Sequence, residues 1–84
     1  MDTLGWVYYK MERYTDAVKE LEKAVQLMTE PESVILEHLG DAYVKVGSSD
    51  LALKRWKEAL ELAPDNKDLR KKILNLEATK SKRE

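Results

Sequence analysis

The chain has 84 residues, no cysteine and a formal net charge of −1. A chain this short buries one small core of marginal stability by itself. The missing cysteine excludes disulfides, thiol catalysis and thiolate metal sites, no apolar run approaches the roughly 18 residues of a membrane-spanning helix, and Met1-Asp2-Thr3 does not open a signal peptide.

Five helices account for the pattern in chain order. The first runs from the start to about Met11 and contains Gly5, although glycine inside a helix costs roughly 1 kcal/mol against alanine. After the short turn ERY, a second helix from about Thr15 to Met28 carries Ala17, Val18, Leu21, Ala24, Val25 and Met28 on one stripe. Thr29 is expected to cap the third helix, with Glu32 three residues on as a capping box and Pro31 in the first turn. Gly47 suits the left-handed position that ends it. Ser48 or Ser49 then caps the fourth helix, which bears Leu51, Ala52, Leu53, Trp56, Ala59, Leu60 and Leu62. Pro64-Asp65-Asn66 ends that helix and caps the fifth, where Leu69, Ile73 and Leu76 form one apolar stripe amid charge. Residues after about Thr79, KSKRE, have nothing to bury and are expected to fray.

The layout repeats. Leu4 and Leu39, Gly5 and Gly40, Tyr8 and Tyr43, Ala17 and Ala52, Leu21 and Trp56, Ala24 and Ala59, and Val25 and Leu60 pair at one offset of 35 residues. A glycine that recurs in register implies a close approach between two helices, with Ala17 and Ala52 as the small residues opposite. Leu4, Gly5, Tyr8, Ala17, Leu21 and Ala24, then Leu36, Leu39, Gly40, Tyr43, Ala52, Trp56, Ala59 and Pro64, resemble the signature of a tetratricopeptide repeat. Met1 stands where that pattern has tryptophan, Thr29 where it has proline, and one extra residue lengthens the first copy.

The resemblance covers about residues 1–66 and implies an all-α fragment of a right-handed solenoid. Its expected parts are a first repeat at residues 1–30, cut short at its amino end, a second at 31–65, a solvating helix at 66–80 and a disordered tail at 81–84. About three repeats are normally needed for stability, so the chain is expected to be the end of a longer array with an apolar amino-terminal edge exposed. The wording of the repeats is similar to the closing repeats of long bacterial or archaeal scaffold proteins. It does not separate cytoplasm from periplasm.

No catalytic constellation is present in the sequence, and a non-enzyme without cofactor or metal is expected. His38 is the lone histidine and has no cysteine or second imidazole to share a metal; a helix-face role suits it better. The carboxylates sit at helical spacing with lysines, as Glu20 with Lys23 and Glu58 with Lys54 do, which marks solvated faces. Gly5, Gly40 and Gly47 are isolated and make no phosphate loop.

By resemblance, the first helix of each repeat lines a concave groove that binds peptides or proteins. Periodicity turns Asp2, Trp6, Tyr9 and Lys10 toward it, then Glu37, Asp41, Val44 and Lys45, with Lys71 and Asn75 ending the row. Relatives that hold chaperone carboxylate tails use lysine, asparagine and arginine there. Here Asp2 replaces the lysine, Trp6 and Asp41 replace the asparagines, and the basic pair Lys71 and Lys72 survives in part, so a carboxylate ligand is rejected. Trp6 and Tyr9 beside Asp41 suit a peptide bearing a cation and an apolar anchor. Equally, the two aromatics pack against a preceding repeat or a second chain, giving a homodimer through the amino-terminal edge. Residues 67–84 carry a net charge of +4 and the rest −5. Binding of nucleic acid or an anionic surface by this basic helix is the remaining alternative, with a solvated face preferred.

Overall fold

The structure is a computed structural model that describes residues 3–83, with side chains described for residues 4–80. The described residues form α1 (Thr3–Lys10), α2 (Tyr14–Leu27), α3 (Ser33–Lys45), α4 (Ser49–Leu62) and α5 (Lys67–Arg83), with no strand among them. Each helix packs on the next in sequence, as expected when helical hairpins stack side by side.

One core joins α2 to α3 through Ala17, Leu21, Ile35, Leu39, Ala42 and Tyr43, with Ala52 from α4. A second joins α3, α4 and α5 through Leu36, Leu53, Trp56, Ala59, Leu69 and Ile73. Val25, Met28, Val44 and Leu76 pack against both and make them continuous. Among the described residues everything fully buried is apolar apart from glycine.

The recurring glycine does permit a close approach, but its neighbour is not the small alanine expected. A Cβ built on Gly40 would lie 2.9 Å from Cγ of Trp56 and closer still to Cδ1 and Nε1. The indole therefore occupies the space that Gly40 leaves, and its Nε1 donates to the Glu37 carbonyl at 3.1 Å. Ala52 lies instead in the core shared with α2.

The two hairpin turns are built alike. Ser48 N–H donates to the Tyr43 carbonyl at 2.9 Å and Gly47 N–H to the Val44 carbonyl at 3.1 Å, with Gly47 at φ 83°. In the first turn Arg13 N–H reaches the Tyr8 carbonyl at 2.9 Å and Glu12 N–H the Tyr9 carbonyl at 3.0 Å, with Glu12 at φ 61°. Both are Schellman turns, which satisfy the last carbonyls of a helix through one left-handed residue.

Two expectations about helix ends change. The third helix starts at Ser33 with Glu32 as its N-cap and no side-chain cap bond, so Thr29 and Pro31 lie in the preceding loop and the capping box does not form. The extra residue of the first repeat lengthens this loop. The fifth helix extends past Thr79 to Arg83, and Lys80 is ion-paired with Asp50 of α4. Its cap is as expected, the Asn66 Oδ1 accepting from Leu69 N–H at 3.0 Å. Ser48 is the N-cap of α4, without a side-chain bond.

Candidate interaction face on the first helices

Part of the row expected from periodicity comes together on α1 and α3, and Lys72 joins it from α5. The indole of Trp6 lies parallel to the His38 imidazole, with ring centroids 3.9 Å apart, and to the Tyr9 ring at 4.7 Å. Tyr14 meets Tyr9 edge-on at 5.3 Å. The Lys10 ammonium sits 5.1 Å from the Trp6 ring and that of Lys45 5.9 Å from Tyr14. Trp6, Tyr9, Tyr14 and His38 are half-buried, so their rims stay accessible.

Between α3 and α5, Lys72 Nζ donates to Glu37 Oε2 at 2.9 Å and to Asp41 Oδ1 at 3.0 Å. Asn66 Nδ2 is 3.4 Å from the other Glu37 oxygen. Glu37 thus ties α3 to the α4–α5 turn and to α5 at once. Burial opposes the charge on Lys72, but its hydrogen bonds to Glu37 and Asp41 outweigh that and hold the ammonium above its usual range. Asp41 is raised because burial dominates, with Lys72 countering only part of it. Burial also lowers His38 against the pull of Asp41 and Glu37, and raises Tyr9, with Asp41 adding to the effect.

Of the residues expected to line the row, Trp6, Tyr9, Lys10, Glu37, Asp41 and Lys45 are placed together. Asp2 lies outside the described residues. Val44 packs against both cores and serves the interior. Lys71 and Asn75 are exposed on α5, but the lysine that meets the α3 carboxylates is Lys72. Asp41 is therefore not the free counter-charge that the sequence reading assigned to it.

Neighbouring first helices touch along a diagonal, which explains the misses. The residue 35 positions beyond Trp6 is Asp41, yet Trp6 stacks on His38, one turn earlier. Leu69 and Ile73 of α5 are buried as Ile35 and Leu39 of α3 are, 34 positions before. On that register Asp41 corresponds to Asn75, and it contacts Lys72, again one turn earlier.

A second polar link crosses the bundle. Tyr43 donates its hydroxyl to Glu22, Arg55 donates to Glu22 at 2.8 Å, and Arg55 also donates to Glu58 at 2.9 Å. Burial and the neighbouring Glu22 carboxylate push the Tyr43 phenol up to about 12. Among the described residues no three His, Cys, Asp or Glu side chains converge to hold a metal, and no helix is long and apolar enough to cross a membrane.

Residues 1–30 match the family profile of the tetratricopeptide repeat. The chain is also similar to prolyl 4-hydroxylase subunit alpha-3 of Homo sapiens, at 35% identity over 85 residues. That similarity covers 88% of this chain and spans 16% of the length of the human protein.

Proposed function

We propose that this all-helical chain, a tetratricopeptide repeat over residues 1–30, works as a protein-interaction module with no reaction of its own. Its partner is an extended peptide segment that lies across α1, α3 and α5. The observation that carries this is the pairing, on these helices, of the Trp6–Tyr9–His38 stack with the Asp41–Lys72 pair, half-buried yet accessible at their rims. The groups with shifted ionisation each have structural partners, as Lys72 has in Glu37 and Asp41, which favours binding over chemistry.

The chemistry of the row points to an apolar or prolyl-bearing segment more than a basic one. Glu37 and Asp41 are already held by Lys72, and Lys10 and Lys45 add positive charge at the aromatic end. A strongly basic peptide would have to displace Lys72. Aromatic-lined grooves suit extended proline-containing chains, whose backbone is already ordered before binding. The human relative is named for a reaction on prolyl residues, which lends weight to the same choice.

Of the two tryptophans, Trp6 lies in the row and Trp56 is 5% exposed in the core. Titration with a neutral proline-rich peptide, followed by the indole N–H resonances, is expected to move Trp6 and leave Trp56 in place. A lysine-rich peptide that moves Trp6 more strongly would refute the assignment of ligand type. No movement with either peptide at about 1 mM, a weak-binding limit, would refute the groove.

A second reading concerns the outer side of α1. Leu4, Val7 and Met11 are exposed there at 46%, 43% and 57%. Residues 35 positions later, Leu39 and Ala42, are fully buried and pack with Ala17 and Leu21 of α2. The side of α1 that bears Leu4 and Val7 is thus suited to a further helix, from a preceding repeat or from a second chain. Val7→Lys is expected to abolish any self-association made through this edge while leaving peptide binding intact.

A further inference from the structure

The two most exposed large hydrophobic side chains among the described residues are Leu27, at 73%, and Leu74, at 60%. They lie in different settings. Leu74 projects from the outer side of α5, where Lys67, Arg70, Lys71 and Ala78 are also exposed at helical spacing. The other lysines described on α5 are committed, Lys72 to α3 and Lys80 to Asp50. Lys67, Arg70 and Lys71 form no ion pair among the described residues, and Arg70 donates only to the Pro64 carbonyl.

Leu27 belongs to a groove of about 380 Å³ between the end of α2 and the start of α3. Its apolar lining is Ala24, Leu27, Met28 and Ile35, and Glu20 and Glu32 stand at its rim. Lys23 also lines it but is paired with Glu20 at 3.3 Å. Glu32 makes no capping bond to α3, so its carboxylate is available, and Glu30 is exposed beside it. One surface is thus an apolar projection ringed by cations, and the other an apolar recess with an acidic edge. The recess has room for a leucine side chain together with the aliphatic stems of flanking lysines.

We propose that the chain associates with a second copy of itself head to tail, with the Leu74 side of α5 seated in the α2–α3 groove of the next copy. The two surfaces differ and one of them remains free at each end of an associated pair, so the contact extends to short chains of copies and does not close as a dimer. A single leucine and a few ion pairs bury well under the roughly 1,200 Å² of a stable interface, so the association is weak and salt-sensitive. It uses neither the Trp6 row nor the outer side of α1, and stands independently of the peptide-binding role.

Sedimentation equilibrium of the whole chain tests this, from about 10 μM to about 2 mM, the range in which weak contacts form. At low salt the average mass is expected to rise past that of a dimer, and raising salt to about 0.5 M is expected to weaken association about tenfold. Leu74→Ser and Glu32→Lys should each weaken it by a similar factor with unchanged circular dichroism, since both side chains are exposed. A Glu32→Lys, Lys71→Glu double variant should recover part of the loss. A monomer at every concentration in low salt overturns the proposal. So does association that ignores Leu74→Ser but disappears with Val7→Lys, which would assign self-contact to α1. A monomer that binds duplex DNA through Lys67, Arg70 and Lys71 also overturns it and assigns the α5 face to phosphate.

Discussion

Replacing Gly40 by alanine sets two effects of opposite sign against each other. In an unobstructed helix the substitution stabilises by roughly 1 kcal/mol. At Gly40 the added methyl would enter the indole of Trp56, within 2.9 Å of Cγ. The ring cannot swing aside freely, because it is 5% exposed and its Nε1 is bonded to the Glu37 carbonyl. Overpacking of this kind costs about 1–3 kcal/mol, and a contact this close to a held ring belongs at the upper end. The net expectation is a loss of about 1–2 kcal/mol, or a fall in Tm of roughly 4–16 °C for a domain this small. Thermal and urea unfolding followed by circular dichroism measures it directly. The control is the same change in a Trp56→Leu background, since leucine is what the first repeat carries at the corresponding position, Leu21. There the alanine should cost at least about 1 kcal/mol less. A Gly40→Ala protein as stable as the parent, or more stable, would refute the claim that Trp56 is what the glycine accommodates.

Glu12→Gly is expected to raise stability by about 0.5–1 kcal/mol, read from the urea midpoint, because Glu12 holds a left-handed φ of 61° that costs L-residues roughly 1–2 kcal/mol, of which glycine's greater backbone entropy in the unfolded chain takes back about 0.5–1 kcal/mol. Gly47→Ala should have the opposite sign and similar size: nothing obstructs a Cβ there, but φ is 83°. Burial and the Glu22 carboxylate push the Tyr43 phenol up to about 12 in the folded chain, against near 10 unfolded. The folded state therefore holds this proton more tightly, and the stability it contributes is complete below about pH 10 and lost as pH rises toward 12, by at most about 3 kcal/mol. Urea unfolding of Tyr43→Phe should lack that alkaline loss. Lys72→Met leaves Glu37 and Asp41 facing one another without their cation and should destabilise by about 1 kcal/mol at neutral pH. Part of this should return as pH falls and Asp41, already raised by burial, takes up a proton.

The sequence carried the helices and their hydrophobic stripes because each is a local periodicity, and the internal repeat because equivalent residues recur at a constant spacing. What it did not carry were contacts whose partners lie on different helices. The Schellman turn at Glu12 shows a signal that was present but unused. Gly47 reads at once as a left-handed residue, and the residue 35 positions before it is Glu12. Glutamate has no such preference, so only the repeat register, applied to backbone conformation as well as side chains, finds the turn. The failed capping box at Thr29 has a different cause: the motif is a local pattern, and the inserted residue lengthens the loop so that Glu32, in extended backbone, holds the N-cap position before α3 begins.

The interaction row shows why site residues are harder to read than core residues. A core position needs only to face inward, and the 3.6-residue period decides that within one helix. A row of side chains across several helices also needs the axial offset between neighbours, which depends on how the intervening helices α2 and α4 pack. Here that offset is one turn, the same between α1 and α3 as between α3 and α5, so His38 and Lys72 are contact residues while Asp41 and Asn75 are the positional equivalents. The consequence is chemical as well as geometric. On a same-level reading Asp41 is a lone carboxylate beside two aromatics and selects a cation; with the diagonal step it is held by Lys72, and Trp6 is stacked on His38. The ligand such a row favours is then one that adds apolar surface to half-buried rings and leaves the Asp41–Lys72 pair in place. Asp41→Asn is expected to leave binding of a proline-rich peptide within about threefold of the parent, whereas Trp6→Ala should weaken it by about tenfold or more; the reverse order would restore Asp41 as the selecting charge.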